Sequence, residues 1–268
     1  MHTPHNSRLV AVGTHHKTGT IWLKRVFMEV TRTLDFPRFQ IRKPRGEKKI
    51  PPSERSVLVS WHSTFSEELK SRSDLRGIHM IRDPRDVLIS GARYHLNAPQ
   101  WREAWLYKPN KKFDGKTYHA CLNECKDWPS QLLFEMNHMH LETLNQMTDW
   151  DYNLPNWREL RYEEMINDTD MAIFSDAADF LGFKKEEKEV VMAAYWNNSL
   201  FGALSKDMPS GSKNSVGRHI KSGAPNQWKS KLPRAVAETY AELFGKQLKT
   251  LGYAEDDRWV DECTGPTN

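Results

Sequence analysis

Three observations predict an α/β fold with a mostly parallel sheet. Short apolar runs suit strands buried on both faces, segments of helical period separate them, and polar, glycine-bearing loops stand where a run gives way to a helix. The runs fall at 8–14, 56–61, 77–81 and 158–162. In the first, Leu9, Val10, Ala11 and Val12 form the strand and Gly13 ends it. Thr20 then opens a helix, with Ile21, Trp22, Leu23, Val26 and Phe27 at helical spacing. The basic, proline-rich stretch 42–56 reads as a mobile, solvated linker. After the strand at 77–81, Asp83 suits a helix cap and Pro84 a first turn. Leu132, Leu133, Met136, Met139, Leu144 and Met147 mark one scaffold helix over 131–147. Helices at 171–181 and 186–195 are split near Gly182, and a last helix over 233–251 starts at its proline. Segment 206–227, rich in Ser, Gly, Lys and Asn, is expected to be a lid without regular structure. No internal repeat or low-complexity tract interrupts this order.

A chain of 268 residues can bury one substantial core, so 1–268 is expected to form a single elaborated domain with its core at about 8–252. No apolar run approaches the length of a membrane span, and the first residues lack the apolar segment of a signal peptide, which predicts a cytoplasmic protein. The net charge of +4 suits an anionic ligand, and no nucleic-acid-binding motif accompanies it, so nucleic acid is not an expected partner. Three cysteines argue against a disulfide framework. Cys121 and Cys125 lie four apart with no further ligand types placed to join them, and no metal site is expected.

The chemistry concentrates at the first strand-to-helix junction. Lys17, Thr18, Gly19 and Thr20 supply one cation, two hydroxyls and a residue that lets the backbone approach a ligand closely. With the unsatisfied N–H groups of the helix start they form an anion cradle. A triphosphatase loop of the form GxxxxGK[ST] does not fit, because Lys17 precedes Gly19 and Gly13 lies six positions before Gly19 instead of five. A second phosphate contact is expected from Arg82, leaving a strand end, and Ser90, two turns into the next helix, a guanidinium fork and a hydroxyl on one phosphate.

Segment 16–22, HKTGTIW, resembles PKSGTTW, the 5′-phosphosulfate loop of sulfotransferases that use 3′-phosphoadenosine 5′-phosphosulfate (PAPS). His16, Thr18 and Ile21 replace the family's proline, serine and second threonine. RDPRDVLIS at 82–90 resembles the 3′-phosphate site RNPKDVxxS, with Asp83 for Asn and Arg85 for Lys. WRELRYEEM at 157–165 resembles the strand and turn that carry a tyrosine near the adenine, here Tyr162. KSGAPNQWK at 221–229 is close to the loop RKGxxGDWK that closes over the 3′-phosphate, with Lys221, Ser222 and Gly223 at its first three positions, Asn226 and Gln227 as departures, and Arg218 compensating for the cation that Ser222 lacks. Four segments in the family's order, spread over 15–229, identify the chain as a member of the PAPS-dependent sulfotransferase family.

That resemblance implies a P-loop-like strand-loop-helix, PAPS as co-substrate, no metal, and adenosine 3′,5′-bisphosphate (PAP) as product. It implies a cofactor-binding set of Lys17, Thr18, Gly19, Thr20, Ile21, Trp22, Arg82, Ser90, Tyr162, Lys221, Ser222 and Gly223. Lys17 is expected to neutralise the leaving phosphate. His62, in VSWHSTF, resembles the family's KTHLP segment and is the expected base, with Ser60 where a lysine often stands. His15, His16, His79 and His95 are alternative bases, as are the carboxylates Glu67 and Glu68. The acceptor is expected to be a small-molecule or carbohydrate hydroxyl. Trp61, Trp101, Trp105 and Trp128, among ten tryptophans, either line its pocket or fill core. A homodimer stays open. Two other readings compete, a P-loop small-molecule kinase and a catalytically silent adenylate-binding scaffold of the same fold.

Overall fold

The computed structural model describes residues 7–206 and 223–267. In chain order its main elements are β1 (Leu9–Gly13), α1 (Thr20–Thr33), β2 (Arg38–Gln40), β3 (Ser56–Ser60), α2 (Glu67–Lys70) and β4 (Leu75–Ile81). There follow α3 (Pro84–Asn97), α4 (Tyr118–Glu124), α5 (Trp128–Glu135), α6 (Leu141–Thr148), β5 (Trp157–Arg161), α7 (Tyr162–Met165), α8 (Ala172–Phe180) and α9 (Lys185–Asn198). A long C-terminal helix spans Arg234–Thr250. These elements form two compact units. Of the described residues, one holds 7–82, 150–206 and Gly223, the other 83–149 and 224–267.

The first unit is built on a five-stranded, all-parallel sheet in the order β2-β3-β1-β4-β5. All five residues of β1 and of β3 are buried, which explains why they read as unbroken apolar runs. Alternate residues of β1 serve opposite faces. Val10 and Val12 pack with Leu23, Val26, Phe27 and Val30 of α1 and with Phe174 and Tyr195 of α8 and α9. Leu9 and Ala11 pack with Leu58, Leu75, Phe65, Trp150 and Trp157. Burying a side chain such as Phe27 completely contributes about 1.5–3 kcal/mol. On the second face Gly77 makes room for a neighbour, since a Cβ there would lie 2.4 Å from the Trp157 ring.

Two stretches differ from the sequence expectation. Strand β2 has three residues, two of them exposed, and so carried no apolar run. Within 42–56 the chain forms a 3₁₀ turn, Pro44–Lys49, whose Glu47 carboxylate accepts the Ser66 N–H at 2.8 Å. Arg55 nearby pairs with Glu187 at 2.7 Å beneath the rings of Phe36 and Phe183.

In the second unit the expected helix over 131–147 is present as α5 and α6, which run on through a π-helical turn at Met136–His140. Leu132, Met136, Leu144 and Met147 remain fully buried across that turn. Among the described residues no helix is long and apolar enough to cross a membrane.

Candidate active site

In an open parallel sheet, ligands bind beyond the carboxyl ends of the strands, where the strand order reverses. Here the reversal is at β1, with β3 on one side and β4 on the other. The three residues of interest in this unit follow those three strand ends. Lys17 comes after β1, His62 after β3 and Arg82 after β4.

The loop after β1 is knotted around His15. Its carbonyl accepts from the Thr18 N–H at 3.2 Å, the Thr18 hydroxyl at 3.0 Å and the Thr20 hydroxyl at 2.7 Å. Its own N–H donates to Thr18 Oγ1 at 2.9 Å. Both hydrogen-bonding roles of the Thr18 hydroxyl are therefore used within the loop, and the side chain is fully buried. Thr20 gives its hydrogen to His15, so the Thr14 hydroxyl, 2.9 Å away, donates to it. Lys17 (φ 64°) and Gly19 (φ 101°) both adopt left-handed backbone around Thr18. Such alternation turns successive N–H groups toward one point, and a non-glycine residue held there is a strain found at ligand loops.

Helix α1 starts from Gly19 with no side-chain cap and no acidic residue in its first turn. Ser66, Asp83, Thr117 and Asp127 cap α2, α3, α4 and α5 through their side chains, whereas the C-terminal helix, like α1, starts without such a cap. The N-terminal end of this 14-residue helix, the positive end of its dipole, therefore has no side-chain cap at Gly19, two residues after Lys17.

Arg82 is buried, donates to the Lys17 carbonyl at 3.2 Å and lies 4.4 Å over the Tyr162 ring. Tyr162 in turn donates to the Gly223 carbonyl at 2.8 Å, and its ring would be 3.2 Å from a Cβ placed on Gly19. The expected cofactor residues Lys17, Gly19, Arg82, Tyr162 and Gly223 are therefore one contact network, with the tyrosine ring wedged among the others. Trp22 stacks on Tyr195 at 5.5 Å, and its buried Nε1 has no hydrogen-bond partner among the described residues. Ile21 is exposed on the first turn. Ser90 is half-buried on α3 in the second unit. Lys221, Ser222 and Arg218 lie outside the described residues.

His62 is exposed, in the turn that follows β3. That turn is laced to the loop after β1, for Ser63 donates to the Thr14 carbonyl at 3.1 Å and the Thr14 N–H to Ser60 at 3.0 Å. Ser60 accepts the Thr64 N–H at 3.0 Å. Of the alternative bases, Glu67 pairs with Lys70 at 2.7 Å, Glu68 is exposed and His16 half-buried. His95 is buried against the Glu135 carboxylate at 2.8 Å within the second unit. His15 and His79 are fully buried against each other, Nε2 to Nε2, at 2.7 Å. That pair and the inward turn of Thr18 escaped the sequence reading, because neither has a local signature. The signal for the pair was the register of β1 on β4, which sets Gly13 beside His79. Among the described residues no three His, Cys, Asp or Glu side chains gather as metal ligands.

Among known proteins, Sulfotransferase 2A2 of Rattus norvegicus is 25% identical over 259 residues, 88% of this chain and 82% of its own length. Sulfotransferase 2A1 of the same organism is 28% identical over 193 residues, 69% of this chain and 60% of its own. A crystal structure of retinol dehydratase in complex with androsterone and the inactive cofactor PAP aligns with a TM-score of 0.54 at 16% identity, covering 91% of this chain and 81% of that one, a likeness of fold. The family model for the sulfotransferase domain matches residues 8–252, from β1 with its uncapped helix to the end of the C-terminal helix. By that match the chain belongs to the sulfotransferase family.

Proposed function

We propose that this sulfotransferase moves a sulfuryl group from PAPS to a hydroxyl of a small-molecule or carbohydrate acceptor, leaving PAP. The observation that carries the reading is the uncapped N-terminus of α1, set behind a left-handed loop with Lys17 at its crest. The residues present fit the donor. The α1 N–H groups and Lys17 suit the 5′-phosphosulfate, Gly19 lets the loop pack closely on Met80 and Tyr162, where a Cβ would clash, and Arg82 is assigned the 3′-phosphate. Ser90, Lys221 and Ser222 join that assignment through their motifs alone. The family domain running from 8 to 252 supports reading both units as parts of one domain.

When bound, PAPS supplies an activated sulfuryl group on a phosphate leaving group. Lys17 and the α1 N–H groups hold the charge that grows on that phosphate. Transfer of a group with little charge of its own depends mostly on position and electrostatics. His62 accepts the acceptor's proton at a ring nitrogen. It is favoured over His15, His79 and His95 because those three are buried and committed to other side chains, whereas His62 faces solvent on a turn fixed to the loop.

The test incubates the chain with labelled PAPS and a panel of alcohols, phenols and sugars, with and without EDTA. A labelled sulfate ester with release of PAP is expected in both, and His62→Ala should lose most turnover while still binding PAP. PAP binding without sulfation of any acceptor would favour the silent scaffold, and binding of ATP in place of PAPS the kinase.

A further inference from the structure

The loop that cradles the proposed phosphosulfate is a short, strained segment, and what keeps it in one conformation is a separate question from what it binds. Four hydrogen bonds converge on the main chain of His15, so the loop is set by the position of that residue. The His15 imidazole makes its contact inward, on His79 of β4.

The direction of that contact follows from the surroundings of His79. Its Nδ1 is buried and has no hydrogen-bond partner among the described residues. A proton there would be an orphaned buried N–H, which folded proteins avoid more strictly than an unpartnered acceptor, so the proton is assigned to Nε2. His79 Nε2–H then donates to His15 Nε2, which as the acceptor leaves the His15 proton on Nδ1. The His79 ring is clamped for this role, stacked on Trp150 at 4.1 Å with Tyr152 at its edge. Lys70, paired with Glu67, approaches on α2, and Glu159 lies beside His79 in register on β5. Burial first, and then the electrostatic influence of His15 and Lys70, hold the His79 imidazole well below its ordinary range, so it stays neutral.

We propose that His79 is a positioning residue, whose Nε2–H locks His15 and through it the anion-binding conformation of the loop. The proposal rests on the sulfotransferase reading of that loop. It assigns no contact between His79 and the ligand.

The experiment measures PAP binding by calorimetry, the thermal melt without ligand, and the ring-nitrogen tautomers of the wild type by ¹⁵N NMR. His79→Phe keeps the stack on Trp150 and removes the donor, so PAP affinity should fall about three- to ten-fold, the worth of one hydrogen bond. His79→Gln places an amide N–H near the position of Nε2 and should recover most of that loss. The wild type should show Nε2–H on His79 and Nδ1–H on His15. Unchanged affinity in His79→Phe, or a folded His79→Gln as weak as the phenylalanine variant, would overturn the proposal. So would the opposite tautomers, which can be read even if both variants unfold. A wild type that binds no PAP at all would instead remove the reading of the loop, while leaving the tautomer result to stand by itself.

Discussion

Two strand-to-helix junctions in this chain answer the same problem in opposite ways. At the end of β1 the chain enters α1 through Gly19 and leaves the first N–H groups without a side-chain acceptor. At the end of β4 it enters α3 through Asp83, whose carboxylate accepts the Arg85 N–H at 2.9 Å and holds the Arg85 guanidinium at 3.0 and 2.7 Å. That second junction already contains its anion. The guanidinium is buried between Trp228 at 3.8 Å and Trp259 at 4.8 Å. A helix start is thus an anion site only where the protein withholds its own carboxylate, and resemblance of the two junctions as strand-turn-helix units does not make them equivalent.

Breaking the closed junction should have the largest effect. Asp83→Ala removes the cap and leaves Arg85 buried without its carboxylate, at a cost of about 3–5 kcal/mol. At roughly 2–4 °C per kcal/mol the thermal midpoint should drop by about 10 °C. A midpoint near the wild type would show that this carboxylate does not hold the junction. Breaking the open one should act on function instead. Lys17→Ala should raise the barrier by about 2–4 kcal/mol with a smaller change in PAP affinity and little change in the melt. Equal loss of turnover and affinity would make the lysine a binding group only.

Smaller changes sharpen the contrast. Gly19→Ala puts a Cβ on a residue at φ 101°, 2.7 Å from Met80 Sδ, and should cost about 1–2 kcal/mol together with PAP binding. Gly46→Ala, with nothing within 4 Å of the added atom, is its control and should stay within about 0.5 kcal/mol of wild type. Thr117→Ala removes the hydroxyl cap of α4, and a loss near 1 kcal/mol in the melt would calibrate what a side-chain cap is worth here.

How much of this was legible in the sequence depended on range. Strands β1, β3 and β4 were visible because burial on both faces writes itself as an unbroken apolar run. β2 was not, since an edge strand with Arg38 and Gln40 exposed has no such run. The turn at Pro44–Lys49 looked like a linker because its reason for order, the bond from Ser66 to Glu47, spans 19 residues. The π-type turn hid because buried Met136 and His140 keep a four-residue spacing that an α-helix also produces. In the site, the positions of Lys17, Gly19 and Arg82 followed from motif order. The burial of Thr18 did not, because a hydroxyl between two left-handed residues is directed by backbone angles that composition does not encode. Nor did His79, which is 64 residues from His15 and meets it through strand register.

The open start of α1 also makes the stability of the chain a function of its surroundings. On the proposed reading an anion bound there completes these donors, which would make folding and ligand occupancy linked equilibria. At a ligand concentration one hundred times its dissociation constant the folded state gains about 2.7 kcal/mol, comparable to the loss from a severe core substitution. The lifetime of the folded chain should therefore track the supply of its nucleotide, and a variant with weakened nucleotide binding would be depleted in a cell even when its isolated fold is intact.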